Sequence, residues 1–224
     1  MKKTLPILFL SFAFLNFNAQ INPDSIDIVR GKYGTPHIFA KTDKEVAYGL
    51  AWAHAEDDFK TIQETFLPSK YMMGRYKGKE GVQLDYISQL LKCKELVDRE
   101  IDNLSPEIIK VVDGYVEGLN AFAKKFPNQV LVKKSFPMNR KEYLIGFNFI
   151  IHFFSDISKV LKDLYSNNIP LIQDSSLNNI GSNGFAFNKS KTKDNKTYIN
   201  INTHQPLEGP FSWYEAHLSS EQGW

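Results

Sequence analysis

Between Ser105 and Pro127 the sequence leaves little choice of conformation. Ser105-Pro106-Glu107 puts a capping hydroxyl ahead of a proline at the first helical position, and Ile108, Val112, Tyr115, Leu119 and Phe122 then recur at three and four residues until Pro127 ends the run. A helix with one apolar stripe must lay that stripe against something. With 42% hydrophobic and 13% aromatic residues in 224, the chain can supply a core for it. Thr42-Asp43-Lys44-Glu45 matches a capping box and opens a helix expected to reach about Phe66, with Val46, Leu50, Ala53, Phe59, Ile62 and Phe66 mostly on one side. Leu84 to Leu104 reads as another helix. Arg140 to about Leu164 reads as one helix or a pair, with Phe147, Phe149, Phe153 and Phe154 on several sides, as expected of a buried element or a pocket wall. Gly74 to Gly81, rich in glycine and lysine, reads as a loop, and Val130 to Ser135 as a strand or an extended connection.

Strands flank this helical part. Ile26 to Arg30 and His37 to Ala40 enclose the turn residues Gly31 to Pro36, a hairpin-like opening. From Tyr165 to Gly181 the composition shifts to turn and linker residues, among them Ser166-Asn167-Asn168, Pro170 and Asp174-Ser175-Ser176, which marks the clearest boundary in the chain. Beyond it Gly184 to Asn188 and Thr197 to Thr203 read as strands joined around Asp194-Asn195, and Tyr214 to Leu218 begins a further strand. The fold class expected is therefore α+β: a mostly helical portion over residues 20–164, a linker over 165–181, and strands over 182–224.

The first residues have the order of a secretory signal. Lys2 and Lys3 precede an apolar run from Leu5 to Phe17, too short to span a bilayer, and cleavage is expected after Ala19, so that 1–19 would be removed and the rest exported to the periplasm or the medium. Phe17 is large for its place before that cut, which leaves an uncleaved anchor or a neighbouring cut as alternatives. A net charge of +2 from 27 basic and 25 acidic residues gives no case for nucleic acid, so a small molecule is the expected partner. Cys93, the single cysteine, falls at helical spacing in a leucine-rich stretch and reads as a buried small hydrophobe. Ala55-Glu56-Asp57-Asp58 is either a solvated helix face or a structural ion-pair or subunit contact.

Chemistry could centre on Gly181-Ser182. Serine needs a base to act as a nucleophile, and a cut before Ser182 would give it an α-amine of ordinary pKa about 7.7–8.0 within the same residue. Gly181, lacking a Cβ, would let the preceding carbonyl take up a geometry open to attack by Ser182 Oγ. Alone, the dipeptide also reads as a turn. His204, at the end of a predicted strand, reads as a functional residue or as an ordinary hydrogen-bonded one. The histidines have no metal-site spacing, and HExxH, GxSxG and phosphate-binding glycine patterns are absent from the sequence.

Several stretches together resemble the penicillin amidase (penicillin acylase) family of N-terminal-nucleophile hydrolases, which includes acyl-homoserine lactone acylases. These are Ile28-Val29-Arg30 with Tyr33-Gly34-Thr35-Pro36-His37-Ile38, Tyr48 to Asp57, Phe154-Ser155-Asp156, and Gly181-Ser182-Asn183 with His204 twenty-two residues after the serine. The resemblance implies a precursor that cuts itself between Gly181 and Ser182 into a helical small subunit and a large subunit, which stay together as a heterodimer with an αββα sandwich. It implies hydrolysis of an N-acyl amide through an acyl-enzyme on Ser182, with His204 orienting the site and Phe153 and Phe154 against the acyl chain. No cofactor is expected: some members bind calcium through a glutamate shortly after the Phe-Ser-Asp triplet, and Val160 stands at that place here. The family's oxyanion-hole residues would lie beyond Trp224, so residues 1–224 alone are expected to be inactive. The rival expectations are a short binding module or an inactive product of an acylase gene, or acyl-homoserine lactone deacylation as the specific activity.

Overall fold

The computed structural model describes residues 21–153 and 181–223. In chain order its elements are β1 (Asp27–Arg30), β2 (Pro36–Ala40), α1 (Asp43–Phe66), α2 (Met73–Lys77), α3 (Lys79–Leu90), α4 (Cys93–Glu100), α5 (Pro106–Lys125), α6 (Arg140–His152), β3 (Gly181–Phe187), β4 (Tyr198–His204) and β5 (His217–Ser220). The architecture is α+β.

β1 and β2 form the expected hairpin, antiparallel with Asp27 opposite Phe39 and Arg30 opposite Pro36. Gly34 takes φ +87° in the turn, a conformation in which a side chain would be strained. β5 then adds to the far edge of β2 in parallel, His37 facing His217 and Ala40 facing Ser220, so the sheet order is β1-β2-β5. Ile38 turns inward from the middle strand, fully buried with Val46 and Ala53 of α1 and flanked by Ile28, Leu50 and Leu218.

The Thr42 capping box forms as expected: Thr42 Oγ1 accepts from Glu45 N at 3.2 Å and Glu45 Oε2 accepts from Thr42 N at 3.0 Å. α1 bends at Asp58, whose φ −153° and ψ 63° leave the helical region. There the Asp58 carboxylate accepts from Thr61 N at 3.0 Å, recapping the second half of the helix much as an N-cap residue would. α5 lies against α1 with its glycines at the contact. A Cβ on Gly114 would stand 2.1 Å from the Lys44 carbonyl oxygen, and one on Gly118 2.5 Å from that of Tyr48. This close approach seats Ala51, Ala55, Phe59, Ile62 and Phe66 against Leu119, Phe122 and Ala123 in the main core.

Three expectations change. The stretch from Gly74 to Gly81 is helical over most of its length, because Asp85 reaches back from α3 and accepts from Met73 N and Gly74 N at 3.0 and 2.9 Å, capping α2 from a distance. Leu84 to Leu104 is not one helix: Lys92 adopts φ +53° and separates α3 from α4. Val130 to Ser135 is neither a strand nor an extended connection but a bent one: Ser135 N donates to the Val132 carbonyl at 3.0 Å across a turn in which Lys134 takes φ +70°, and Gln63 holds its start, with Oε1 accepting from Leu131 N at 2.8 Å and Nε2 donating to Gln129 O at 3.0 Å. α6 starts at a second capping box, Asn139 with Glu142, and the expected helical stretch beyond Phe153 lies outside the described residues. A second core joins Ile87, Cys93, Val97 and Ile101 to Ile145, Phe149 and Phe153 of the α6 end, and Phe211 enters it from downstream. Among the described residues no helix is long and apolar enough to cross a membrane.

β3 and β4 form a separate two-stranded antiparallel sheet. β3 begins earlier than expected, at Gly181. Both faces stay open, with Ile199 and Ile201 72% and 75% exposed and Phe185 and Phe187 about half exposed.

Candidate functional site

The hairpin register brings the proposed processing residues to its open end. Gly181 is the cross-strand partner of His204, and Ser182 that of Thr203. Because residues directly opposite share a face and neighbours along a strand alternate, Ser182 lies with Thr203, Gly184, Ile201, Ala186 and Ile199 on one face. His204 lies on the other, with Asn202, Phe185, Phe187 and Tyr198. Its Nε2 is 2.9 Å from Asn202 Nδ2, so with the amide donating, the imidazole carries its proton on Nδ1. Spacing alone could not reveal this split. An imidazole across the sheet plane from a hydroxyl is badly placed as its base, yet it sits beside the backbone at the Gly181-Ser182 junction. Gly181 is extended within β3, whereas positive φ occurs among the described glycines at Gly34, Gly78, Gly209 and Gly223.

Phe153 is 8% exposed and enclosed in the second core, 5.1 Å ring to ring from Phe149 and 6.2 Å from Phe211. Phe154, the Phe154-Ser155-Asp156 triplet, Val160 and the stretch from Tyr165 to Ile180 lie outside the described residues. Among the described residues no group of three or more His, Cys, Asp or Glu side chains is placed to hold a metal ion.

A further polar cluster lies elsewhere, and of its members Glu56 and Asp57 stood out in the sequence as candidates for pairing. Arg30 Nη1 donates to Asp57 Oδ2 at 2.6 Å and to the Gly34 carbonyl at 3.0 Å, while Nη2 meets Glu56 Oε2 at 3.2 Å and the Ala53 carbonyl at 3.3 Å. Tyr214, far downstream, donates its hydroxyl to the same Asp57 oxygen at 2.5 Å. Its ring stacks on His54, centroids 4.3 Å apart, and His54 Nδ1 is 2.9 Å from Tyr115 Oη on α5. Trp52 Nε1 donates to Glu56 at 2.8 Å. Arg30, Gly34, Glu56, Asp57 and Tyr214 border an open cleft of about 590 Å³ that also takes in Tyr33, Thr35, Pro36 and Glu215.

The electrostatics follow from the contacts. The Asp57 hydrogen bond holds the Arg30 guanidinium firmly in its charged form. Burial works against the Asp57 carboxylate, but the bonds from Arg30 and Tyr214 outweigh it and hold its pKa below the usual value. Burial, then the hydrogen bond to that carboxylate, pushes the Tyr214 hydroxyl well up. Burial also lowers the pKa of His54, against the pull of Asp58 and Asp57, and pushes the phenol of Tyr143, whose ring packs on Tyr115, up to about 12. The acidic cluster is thus an ion-pair site. Both readings open from sequence hold at once: the Glu56 and Asp57 side chains stay exposed, at 45% and 42%, while their partners come from the hairpin before α1 and the segment after β4.

Comparison with known proteins places this geometry in context. The profile of the penicillin amidase family matches residues 25–223. Penicillin G acylase of Escherichia coli is 28% identical over 107 residues, 48% of this chain and 13% of that protein. The acyl-homoserine lactone acylase PvdQ of Pseudomonas fluorescens is 27% identical over 132 residues, 53% of this chain and 17% of the relative. A penicillin acylase 2 proenzyme of Pseudomonas sp. is 24% identical over 122 residues, 54% and 15% respectively. The matched part of the chain thus spans between 13 and 17% of the length of these relatives. Among solved structures, a thermostable penicillin G acylase from Alcaligenes faecalis aligns with a TM-score of 0.46 and 18% identity, covering 65% of this chain and 76% of that one.

Proposed function

Because the chain belongs to the penicillin amidase family, we propose that it is the nucleophile-bearing part of an acylase that hydrolyses carbon–nitrogen bonds of linear N-acyl amides after cutting itself between Gly181 and Ser182. The observation that carries this reading is the hairpin end, where an exposed serine follows a glycine whose cross-strand partner is His204. In the cut, Ser182 Oγ attacks the Gly181 carbonyl carbon and the acyl group moves from nitrogen to oxygen. Water then hydrolyses that ester, leaving a carboxylate on Gly181 and an amine on Ser182.

In turnover the α-amine, near its ordinary pKa of about 7.7–8.0, takes the Oγ proton as Oγ attacks the substrate carbonyl. The amine product leaves with a proton, and water releases the acid from the acyl-serine. His204, on the face opposite the hydroxyl and beside the junction backbone, is assigned to orienting the terminus rather than to proton transfer. Phe153 and Phe154 are assigned to the acyl pocket. The scheme needs no cofactor.

The names of the relatives combine two leaving groups, a β-lactam amine and a homoserine lactone, with one bond type, and that N-acyl bond is the substrate class proposed. Residues 1–19 are assigned as an export signal to the periplasm or medium, 20–164 as the small subunit, 165–181 as a spacer and 182–224 as the opening of the large subunit, the two held as a heterodimer. The activity is proposed for a protein of the relatives' length; by themselves residues 1–224 should be inactive, lacking oxyanion-hole donors of the kind worth about 10²–10³ in rate. Mass spectrometry of the precursor of that length should find a subunit beginning at Ser182, and Ser182→Ala should leave one uncut, inactive chain. A wild-type chain that stays whole, or a mutant that is still cut at this bond, refutes the proposal.

A further inference from the structure

Residues 205–223 follow Ser182 in sequence, yet they pack on residues that precede it. Three contacts of different chemistry are made. β5 extends the N-terminal sheet through a main-chain ladder with β2. Phe211, 7% exposed, enters the core beside Phe153. Tyr214 bonds Asp57 and stacks on His54, and at the far end Gln222 Oε1 accepts from Asp43 N at 3.0 Å, at the start of α1. The β3–β4 hairpin, by contrast, pairs only within itself and leaves its faces open.

We propose that residues 205–223 are a docking arm: the surface made by the β2 edge, the Arg30–Asp57–His54 cluster and the core around Phe149 and Phe153 binds this extended segment of the same chain, and it keeps the Ser182-bearing piece attached once the chain is opened upstream. The inference rests on the proposed cut for its biological use, but not for its physics. A parallel strand added to an open edge supplies directional main-chain bonds, Phe211 supplies apolar burial, and the Tyr214 hydroxyl on a charged acceptor fixes the register. None of these contacts uses the covalent connection between residues 153 and 181.

The test uses the 224-residue chain carrying Ser182→Ala, with a site for a sequence-specific protease placed between residues 165 and 180. After cutting, the piece ending in Trp224 is expected to co-elute with a tagged N-terminal piece at micromolar concentration. Tyr214→Phe, which keeps the stacked ring and removes the hydroxyl, should weaken retention by about tenfold. Phe211→Ala should weaken it at least as much, and Ile201→Ser on the open hairpin face should leave it unchanged. Circular dichroism of each uncut variant verifies that the helical part is folded before the comparison is made. Separation of the pieces on cutting overturns the proposal, as does retention that neither Tyr214→Phe nor Phe211→Ala reduces. Since this background lacks the serine hydroxyl, retention here combined with an uncut wild-type precursor would refute self-cleavage alone.

Discussion

Replacing Gly118 with alanine opposes two effects of known sign. In a helix interior alanine is favoured over glycine by about 0.8–1.0 kcal/mol, so propensity alone predicts a more stable protein. In this fold the new Cβ would stand 2.5 Å from the Tyr48 carbonyl oxygen and 2.9 Å from Ala51 Cβ, and ordinary contact begins at 3.4 Å. α1 and α5 would have to part by about 0.9 Å, against a backbone carbonyl that no rotamer change can move aside. Overpacking of this kind costs about 1–3 kcal/mol, which leaves a net loss of about 0–2 kcal/mol after the propensity gain. For a chain of this size that corresponds to a midpoint lower by up to about 8 °C. Gly114, whose Cβ would meet the Lys44 carbonyl at 2.1 Å, should suffer more from the same change. Thermal unfolding followed by circular dichroism, with urea midpoints as a second measure, reads both. A Gly118→Ala protein stabilised by about 1 kcal/mol, or a Gly114→Ala protein less affected than it, would show that the helices are not held at this separation.

Three other perturbations report on separate parts of the molecule. Gln63→Ala empties a buried site and strands Leu131 N–H and the Gln129 carbonyl, and chemical denaturation should show a loss of about 2–4 kcal/mol. His54 has a folded pKa below its ordinary value of about 6.5, so the neutral form is the one folding favours. Its contribution is complete above that pH and is lost as pH falls through the lower folded value; stability measured against pH should therefore decline below about 6.5, and less steeply in His54→Gln. Cys93 is fully buried, and burial pushes its thiol up to about 11, so a thiol reagent at neutral pH should label it at the rate of unfolding; rapid labelling of the folded protein would contradict the core placement.

What could be read in advance was local. The Thr42–Glu45 and Ser105–Pro106 caps span three residues or fewer, and their sequence is their mechanism, so α1 and α5 begin where expected. The helix at Gly74 was hidden because its cap is Asp85, eleven and twelve residues away on another helix. The break at Lys92 was hidden because a lysine at positive φ leaves no mark on an apolar period that runs on through it. The same division holds at the site. Gly181, Ser182 and His204 could be picked out by spacing, since a hairpin converts spacing into register, but their distribution over two faces depends on which residues pair. Glu56 and Asp57 stood out as a charge cluster, whereas Arg30 and Tyr214 reach Asp57 across 27 and 157 residues and carry no signal until the sheet assembles.

The parallel pairing of β2 with β5 sets an order of assembly. A hairpin such as β1–β2 can close within microseconds, but His37 must wait for His217, with α1 to α6 in the loop between them. Loop-closure entropy grows only slowly with length, so the thermodynamic penalty of this distant contact is modest; the delay is kinetic. While the chain is being made, the outer edge of β2 has no neighbour to bond. It gains one only when β5 has emerged, after α1, which carries Asp57 and His54, and α5 have been made. The third strand therefore acts as a late check on the helical part, because it finds its register only where β2 and α1 are already in place.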